Sequence, residues 1–212
     1  MRKLFEPVAC AIDLGSGDMS NATGRYTKYF RDLAGLYGDE AAFAAMAPQW
    51  SDRAVYDVGE FRPRDEAGDL IFGVTRMSPG KVGDEFFMTR GHIHRNGDRP
   101  EIYYGQKGRG VMLLESPEGE IRAVPIGPMT VCYVPPYWIH RSMNVGDDDL
   151  VMLFCYPAES GQDYGIIERA GGMRARIVDD GAGGWKQRDN PAWRARDAAT
   201  LDALYATHEV RT

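Results

Sequence analysis

Histidine and cysteine are scarce in this sequence, and long apolar runs are absent. The 212 residues include four histidines and three cysteines, Cys10, Cys132 and Cys155, which lie far apart. Three widely spaced thiols favour reduced, buried side chains over a disulfide framework or a zinc knuckle. No apolar stretch approaches the length of a membrane span or of the hydrophobic part of a signal peptide. These absences predict a cytoplasmic protein with no membrane partner.

An excess of basic charge is also missing, because the formal net charge is −6 at pH 7. Neutralising a nucleic-acid backbone requires a basic face, so this composition argues against a nucleic-acid partner. A small anionic substrate is still compatible, since a few local donors are enough to bind it. The hydrophobic content of 43% and the charged content of 26% match a globular protein with one good-sized core.

Short β-rich runs dominate the middle of the chain. They read AVYDVGEF, LIFGVTRM, DEFFMTRGHIH, EIYYGQKG, GVMLLES, IRAVPI, TVCYVPPYWIHRSMNV and LVMLFCYP, with Gly, Pro, Asn and Asp between them. Many short strands with almost no helical periodicity predict an all-β sandwich or closed barrel. We place this β-domain at residues 54–178.

The N-terminal residues 1–53 are predicted to be a mixed extension that packs on the barrel. The stretch SGDMSNATGRYTKYF is polar and rich in turn residues. The stretch GDEAAFAAMA (38–47) predicts a short helix, with Asp39 and Glu40 well placed at its start and Pro48 ending it.

The C-terminal residues 179–212 are predicted to be a linker followed by a helix. The glycine-rich stretch DDGAGGWKQRDNP indicates a flexible connector. A helix is then expected to begin at Pro191, with Asn190 as its cap. Its apolar residues, among them Trp193, would dock on the barrel or on a second subunit, or the tail would dock loosely.

The residues that carry chemistry concentrate in the stretch TRGHIHRNGDRPEIYYG. His92 and His94 point to the same side of a strand, about 7 Å apart. Glu101 begins the next β-run and reaches the histidine face if the two strands pair, and His140 begins another run after VPPYW. Three imidazoles and one carboxylate inside a barrel form a site for a divalent first-row metal. His208, in the tail, is interpreted as a bystander.

The same spacing resembles the two cupin motifs. His-x-His, six residues, Glu101, six residues and Gly108 resemble the first motif, with two extra residues before the glutamate. VPPYWIHRSMN resembles the second motif, although Met129 stands where that motif usually has a turn glycine. The longer blocks GKVGDEFFMTRGHIH, YYGQKGRGVMLLESPEGE, VCYVPPYWIHRSMNVGD and FCYPAESGQDYGII are similar to those of the cupin-type phosphoglucose isomerases. The resemblance runs from about Tyr56 to Ile167.

This resemblance implies a jelly-roll cupin barrel with short helical additions at both ends. It implies a homodimeric enzyme that interconverts glucose 6-phosphate and fructose 6-phosphate with one divalent metal ion per subunit. Fe²⁺ is the first expectation for that ion, and Mn²⁺, Ni²⁺, Co²⁺ and Zn²⁺ also accept such a donor set. The implied ligands are His92, His94, Glu101 and His140, and Glu101 is also the implied base. A metal at the C1 and C2 oxygens would polarise the carbonyl and stabilise an enediolate, although a hydride shift is equally compatible.

The resemblance also implies how the substrate is bound. The phosphate would be held by hydroxyls and backbone amides at Tyr56, Thr75, Thr89 and Gly91. Tyr103 lies two residues past Glu101 on the same strand face, so its hydroxyl can enter the same cavity. Tyr164 matches a family tyrosine near the substrate. Gln162 stands where the family carries a histidine, and it can bind a sugar hydroxyl but cannot titrate near neutral pH.

Other functions remain compatible with these residues. A mannose-6-phosphate isomerase or an oxygen-using dioxygenase would use the same metal ligands. A sugar-sensing or metal-storage cupin would keep the barrel without turnover, and Gln162 is the feature that favours it.

Overall fold

Antiparallel strands form most of the protein. The computed structural model describes residues 4–64 and 66–206. The strands, in chain order, are β1 (Gly24–Tyr29), β2 (Ala54–Phe61), β3 (Leu70–Met77), β4 (Lys81–Val82), β5 (Glu85–Phe86), β6 (Glu101–Lys107), β7 (Gly110–Glu115), β8 (Ile121–Ile126), β9 (Val131–Val134), β10 (Ile139–Asn144), β11 (Leu150–Pro157), β12 (Ala175–Asp179) and β13 (Trp185–Asp189). The helices are α1 (Glu40–Trp50), α2 (Gly165–Arg169) and α3 (Ala198–Tyr205).

Three antiparallel sheets build the barrel. The largest has the strand order β1-β2-β3-β11-β6-β9, the second is β10-β7-β8, and the third is β13-β12-β5-β4. The first two sheets face each other, because Glu101 of β6 and His140 of β10 meet between them. The predicted all-β jelly-roll barrel with short helices near its ends is confirmed.

The core fills the space between the sheets. β7 and β10 are buried along their whole length, whereas β9 alternates exposed and buried residues, as an edge strand with one face in solvent does. The largest fully buried side chains include Phe30, Phe87 and Met112. A smaller cluster around Met19 and Val74 lies under the N-terminal segment.

The N-terminal region contributes more regular structure than the sequence predicts. The stretch interpreted as turn-rich contains β1, which pairs with β2 and so extends the large sheet. Asp39 caps α1 by accepting a hydrogen bond from the Ala42 amide, as expected. The expectation that Pro48 ends α1 is wrong, because the helix continues to Trp50. Trp50 packs edge-on against Phe87 at 5.3 Å between ring centroids, which holds this last turn in place.

The C-terminal predictions were wrong in two details. The stretch expected to be a flexible connector forms β13, which pairs with β12 from Ala175↔Asp189 to Asp179↔Trp185. The last helix begins at Ala198 rather than at Pro191, and its cap is Asp197, which accepts from the Thr200 amide. Asn190 is buried instead, and its side-chain amide donates to two backbone carbonyls, those of Gly171 and Met173.

The division into residues 1–53, 54–178 and 179–212 stays a prediction, although β1 and β13 lie outside the central range and pair with strands inside it. His208 lies outside the described residues. None of the described helices combines the length and apolarity that crossing a bilayer requires.

Candidate metal centre and substrate cavity

The segment before β6 positions two of the histidines without forming a regular strand. The run DEFFMTRGHIH, predicted to be a strand, is regular only at β5. His92 exchanges two backbone hydrogen bonds with His140 of β10, at 3.0 and 2.9 Å. Gly91 makes this close approach possible, because a Cβ there would lie 2.8 Å from the Arg141 Cβ and 2.9 Å from the His140 carbonyl oxygen. Its φ of +74° is also a conformation that glycine adopts readily.

The glutamate reaches the histidines by a different route from the one expected. The sequence predicts that the strand of Glu101 pairs with the histidine segment. β6 pairs instead with β11 and β9 in the large sheet. Glu101 therefore extends across the barrel interior toward His92 and His140. The donor set thus joins two facing sheets rather than two neighbouring strands.

Four donor groups converge at one point in the interior. The Oε2 atom of Glu101 lies 3.0 Å from Nε2 of His140, 3.2 Å from Nε2 of His94 and 3.8 Å from Nε2 of His92. The ligand atoms of all four side chains lie within 4.8 Å of one another. All four residues are buried, with at most 8% of their surface exposed. The predicted His₃Glu cluster is therefore assembled.

The hydrogen bonds on the outer sides of the rings fix which nitrogen faces the cluster. Nδ1 of His94 lies 2.7 Å from the Arg99 carbonyl oxygen, and Nδ1 of His140 lies 3.0 Å from that of Trp138. A carbonyl only accepts, so each Nδ1 carries the proton and each Nε2 presents a lone pair to the centre.

The centre therefore contains acceptors without a donor between them. The Nε2 atoms of His92 and His94 are buried and have no hydrogen-bond partner. Burial and the adjacent His140 lower the pKa of His92 well below its usual value, so its ring is neutral at neutral pH. Burial raises the pKa of Glu101, but its contacts with His140 and His94 outweigh this effect, and the pKa of Glu101 falls well below its usual range. Three imidazoles that point Nε2 toward an ionised carboxylate fit a divalent cation.

Tyr103 lies beside the cluster, as its position in β6 predicts. Its ring centroid is 5.9 Å from that of His140. Burial raises the pKa of Tyr103 well above its usual value, and the negative charge of the nearby Glu101 acts in the same direction. Tyr103 therefore carries its proton at neutral pH and can donate it in a hydrogen bond to Glu101.

A cavity of about 350 Å³ extends from the cluster between the two facing sheets. Every predicted substrate-binding residue lines it, together with three of the metal donors and Tyr103. These residues are Tyr56, Thr75, Thr89, Gly91, Gln162, Tyr164, His92, Glu101, His140 and Tyr103.

Several lining residues were not predicted to belong to the site. Ser142 lies two residues past His140, so the period-2 alternation of a strand could have identified it. Tyr26 and Lys28 could not be identified, because β1 was interpreted as turn-rich. The remaining unpredicted polar residues of the lining are Glu60, Arg62, Arg90, Arg141 and Tyr156.

Hydroxyl and amide groups gather in one part of the cavity. The Arg90 amide lies 3.5 Å from the Tyr56 hydroxyl, the Ser142 amide donates to Oγ1 of Thr89 at 3.1 Å, and the two hydroxyl oxygens of Thr89 and Ser142 are 3.4 Å apart. Burial raises the pKa of Tyr56 to about 12, so its phenol remains a donor at neutral pH. Such uncharged donors suit a phosphate group.

Gln162 and Tyr164 form a pair at the wall of the cavity. The Tyr164 hydroxyl donates to Oε1 of Gln162. The Arg90 guanidinium lies 5.2 Å from the centre of the Tyr164 ring and pairs with Glu168 at 2.7 Å. Gln162 therefore occupies the position of the family histidine with its carbonyl oxygen already bonded, which leaves its amide N–H groups for a ligand.

Comparison with known proteins identifies the family. A family model described as glucose-6-phosphate isomerase (GPI) matches residues 27–194, most of the chain. The chain belongs to the glucose-6-phosphate isomerase family. The resemblance seen in the sequence to the cupin-type branch is thereby confirmed.

Two relatives illustrate the range of this isomerase family. A glucose-6-phosphate isomerase of Sinorhizobium medicae (strain WSM419) is 72% identical over 205 residues, which cover 97% of this chain and 96% of that protein. A glucose-6-phosphate isomerase of Thermococcus kodakarensis is 44% identical over 188 residues, 89% of this chain and 97% of that protein. Among solved structures, an oxalate oxidase in complex with glycolate is 15% identical, with a TM-score of 0.44 over 52% of this chain and 55% of that one.

Proposed function

We propose that this protein is a metal-dependent isomerase that interconverts glucose 6-phosphate and fructose 6-phosphate. One observation carries the proposal: the buried His₃Glu cluster and a group of hydroxyl and amide donors open onto the same cavity. The cluster suits a divalent metal and the donors suit a phosphate, which are the two features that this substrate requires at its two ends. Membership of the isomerase family supports the same substrate class.

The metal would be held by His92, His94, Glu101 and His140. When bound, it supplies a positive charge that polarises the sugar carbonyl and stabilises the negative charge developing on the C1 and C2 oxygens. Fe²⁺ is our first candidate, followed by Mn²⁺, Ni²⁺, Co²⁺ and Zn²⁺, because this mixture of imidazole and carboxylate accepts all of them.

Glu101 is the residue that we propose moves the proton between C1 and C2. Its carboxylate is ionised, buried and positioned at the metal end of the cavity. Tyr103 holds its proton, so its phenol is proposed to orient the Glu101 carboxylate by donating a hydrogen bond, without competing for the substrate proton. Direct transfer of a hydride from C2 to C1 is the alternative, and incorporation of solvent deuterium into the product distinguishes the two routes.

The phosphate end is proposed to bind at Tyr56, Thr75, Thr89 and Gly91. Binding energy from this remote group holds C1 and C2 against the metal end, which converts binding into orientation. Gln162 and Tyr164 are proposed to bind sugar hydroxyls.

A cytoplasmic location and a homodimer are further proposals. The exposed face of β9 supports the second, since Val131 and Tyr133 are 62% and 56% exposed on this edge strand of the described sheet. Light scattering after gel filtration measures the mass, and a mass near 23.6 kDa contradicts the dimer.

A coupled assay of fructose 6-phosphate conversion to glucose 6-phosphate tests the function. Protein stripped with EDTA is expected to be inactive, and addition of Fe²⁺, Mn²⁺, Ni²⁺, Co²⁺ or Zn²⁺ to separate samples is expected to restore turnover. Absence of turnover with every metal, in protein that is folded and binds the ion, contradicts the isomerase and favours a non-catalytic sugar-phosphate-binding protein.

Glu101→Gln tests the role of the carboxylate. The variant keeps the shape of the side chain but removes the base, so kcat is expected to fall by at least about a hundredfold. Glu120→Gln is the control, because Glu120 is exposed on the turn before β8 and lies outside the cavity. If Glu101→Gln retains the wild-type kcat with full metal content, Glu101 is not the base.

A further inference from the structure

A buried guanidinium lies behind the hydroxyl and amide donors of the cavity. Arg141 is 5% exposed and lines the cavity, next to His140 in β10. Its Nη2 donates to the Arg90 carbonyl at 2.5 Å, its Nη1 lies 2.9 Å from the Met88 sulfur, and its Nε is buried without a hydrogen-bond partner. Among the described residues, no carboxylate forms an ion pair with it. A buried charge without a counter-ion costs several kcal/mol, so an anion bound near Arg141 would be stabilised by this charge.

The other arginines that line the cavity differ from Arg141 in this respect. Arg90 pairs with Glu168 at 2.7 Å, and Arg62 pairs with Glu60 at the same distance. Each of these charges therefore has a carboxylate beside it. The positive charge of Arg141 is not offset in this way.

The hydrogen bond from Arg141 fixes the orientation of one peptide group. The described chain has no cis peptide bonds, so the Gly91 N–H points away from the Arg90 carbonyl oxygen. The Gly91 N–H has no acceptor among the described residues, and Gly91 lines the cavity. The preceding amide, that of Arg90, lies 3.5 Å from the Tyr56 hydroxyl. Two successive amides followed by positive φ form the kind of concavity that binds anions.

We propose that Arg141 is the positioning residue of the phosphate subsite. Its guanidinium holds the Arg90–Gly91 peptide so that the Gly91 N–H faces the substrate phosphate. The positive charge lies behind this peptide and attracts the phosphate on its other side. This inference takes the sugar phosphate as substrate from the proposed function. The subsite itself requires only that a phosphate dianion binds there.

Arg141→Met and Arg141→Lys test this role in the zinc-loaded protein. Binding of inorganic phosphate is measured by calorimetry, and KM and kcat for fructose 6-phosphate are measured in the coupled assay. Arg141→Met is expected to raise the phosphate Kd and the KM about tenfold or more, with a smaller fall in kcat. Arg141→Lys keeps the charge but loses the planar fork, so it is expected to fall between Met and wild type.

Arg174→Met is the matched control. Arg174 also donates from its guanidinium to a backbone carbonyl, that of Gly119 at 3.0 Å, but it lies outside the cavity. This variant is expected to lower the Tm slightly while leaving KM and the phosphate Kd unchanged. A purely structural role for Arg141 would give the same pattern in Arg141→Met, and that result overturns the inference.

Two further outcomes separate this inference from the proposed function. If wild type binds phosphate, Arg141→Met does not, and neither converts fructose 6-phosphate, the subsite stands and the isomerase proposal fails. If wild type does not bind phosphate, the inference fails. Should Arg141→Met not fold, the Gly91 amide resonance of the wild-type protein is followed by NMR during a phosphate titration. A shift of this resonance at saturation supports the inference, and its absence overturns it.

Discussion

Three non-glycine residues of the described chain have a positive backbone φ, a conformation that costs energy for residues with a Cβ: Asn21, Met129 and Tyr137. Tyr137 compensates through contacts, since its amide donates to the Gly97 carbonyl at 2.6 Å and its ring packs 5.0 Å from that of Tyr205. Met129 is 81% exposed, and its sulfur accepts from the Tyr104 hydroxyl. The turn before β9 therefore keeps the backbone conformation that suits glycine although the glycine itself is absent.

Met129→Gly is expected to raise the free energy of unfolding by about 0.5–1 kcal/mol, because it removes the Cβ strain at φ +63°. Urea unfolding at equilibrium measures the change. Met129→Ala is the control, since it loses the sulfur contact but keeps the Cβ, and it is expected to be neutral or slightly destabilising. A fall in stability for the glycine variant would mean that the Tyr104 contact outweighs the strain.

Residue type and spacing were enough to predict that the His₃Glu cluster assembles, because imidazoles are rare in this chain and extended backbone places alternate residues on one side. The burial of Arg141 was not predicted. Arginine is usually exposed, and only the packing of residues 88–91 against β10 reveals that this one is buried. The predicted roles of the substrate-binding residues stay predictions.

Secondary-structure elements were predicted well where their own composition determines them. AVYDVGEF, LIFGVTRM, IRAVPI and LVMLFCYP match β2, β3, β8 and β11 residue for residue. β1 and β13 were missed, because GRYTKY and WKQRD are polar and become strands through pairing with β2 and β12. No local pattern encodes such a partner.

A buried carboxylate makes several of the contacts that hold the C-terminal segment on the barrel. Glu115, at the end of β7, is fully buried and accepts from the Arg174 amide at 2.6 Å, from Nε1 of Trp193 at 3.1 Å and from Arg196 at 2.8 Å. Tyr205 of α3 donates to Glu118 at 2.7 Å. These contacts indicate a segment docked on the barrel, the first of the three alternatives that the sequence left open.

Glu115→Gln is expected to lower the free energy of unfolding by about 3–5 kcal/mol, because it leaves the buried Arg196 without its counter-charge. Urea unfolding followed by tryptophan fluorescence measures this loss. Trp193→Phe removes a single donor and keeps the ring, so it is expected to cost about 1 kcal/mol. Equal losses for the two variants would indicate that the carboxylate acts as an ordinary hydrogen-bond acceptor rather than as a counter-charge.

At the scale of the whole molecule, buried phenols predict how the protein responds to alkali. Burial raises the pKa of Tyr56 to about 12 and also raises the pKa values of Tyr37 and Tyr156. A folded-state pKa above the unfolded value of about 10 means that the stabilisation is complete below pH 10 and is lost as the pH rises toward 12 and beyond. Tyr56 alone contributes roughly 3 kcal/mol to this loss.

We expect cooperative unfolding above pH 10, in which tyrosinate absorbance at 295 nm and loss of circular dichroism change together. Tyr56→Phe removes one titrating group, so its stability is expected to fall less steeply over the same pH range. Titration of all tyrosines near pH 10 in a protein that keeps its circular dichroism would contradict this expectation.

The donor cluster spans the gap between two sheets, with Glu101 on one and the histidines at the other. The spacing of those sheets is determined by apolar side chains such as Met112 and Leu150, which lie in the common core. The packing of the core therefore sets the distances between the donor groups of the cluster. A conservative core substitution that moves one sheet by a fraction of an ångström would leave the barrel folded. It would nevertheless change the distances between Glu101 and the histidines. Metal selectivity at the proposed site would therefore depend on the hydrophobic packing as much as on the four donor residues.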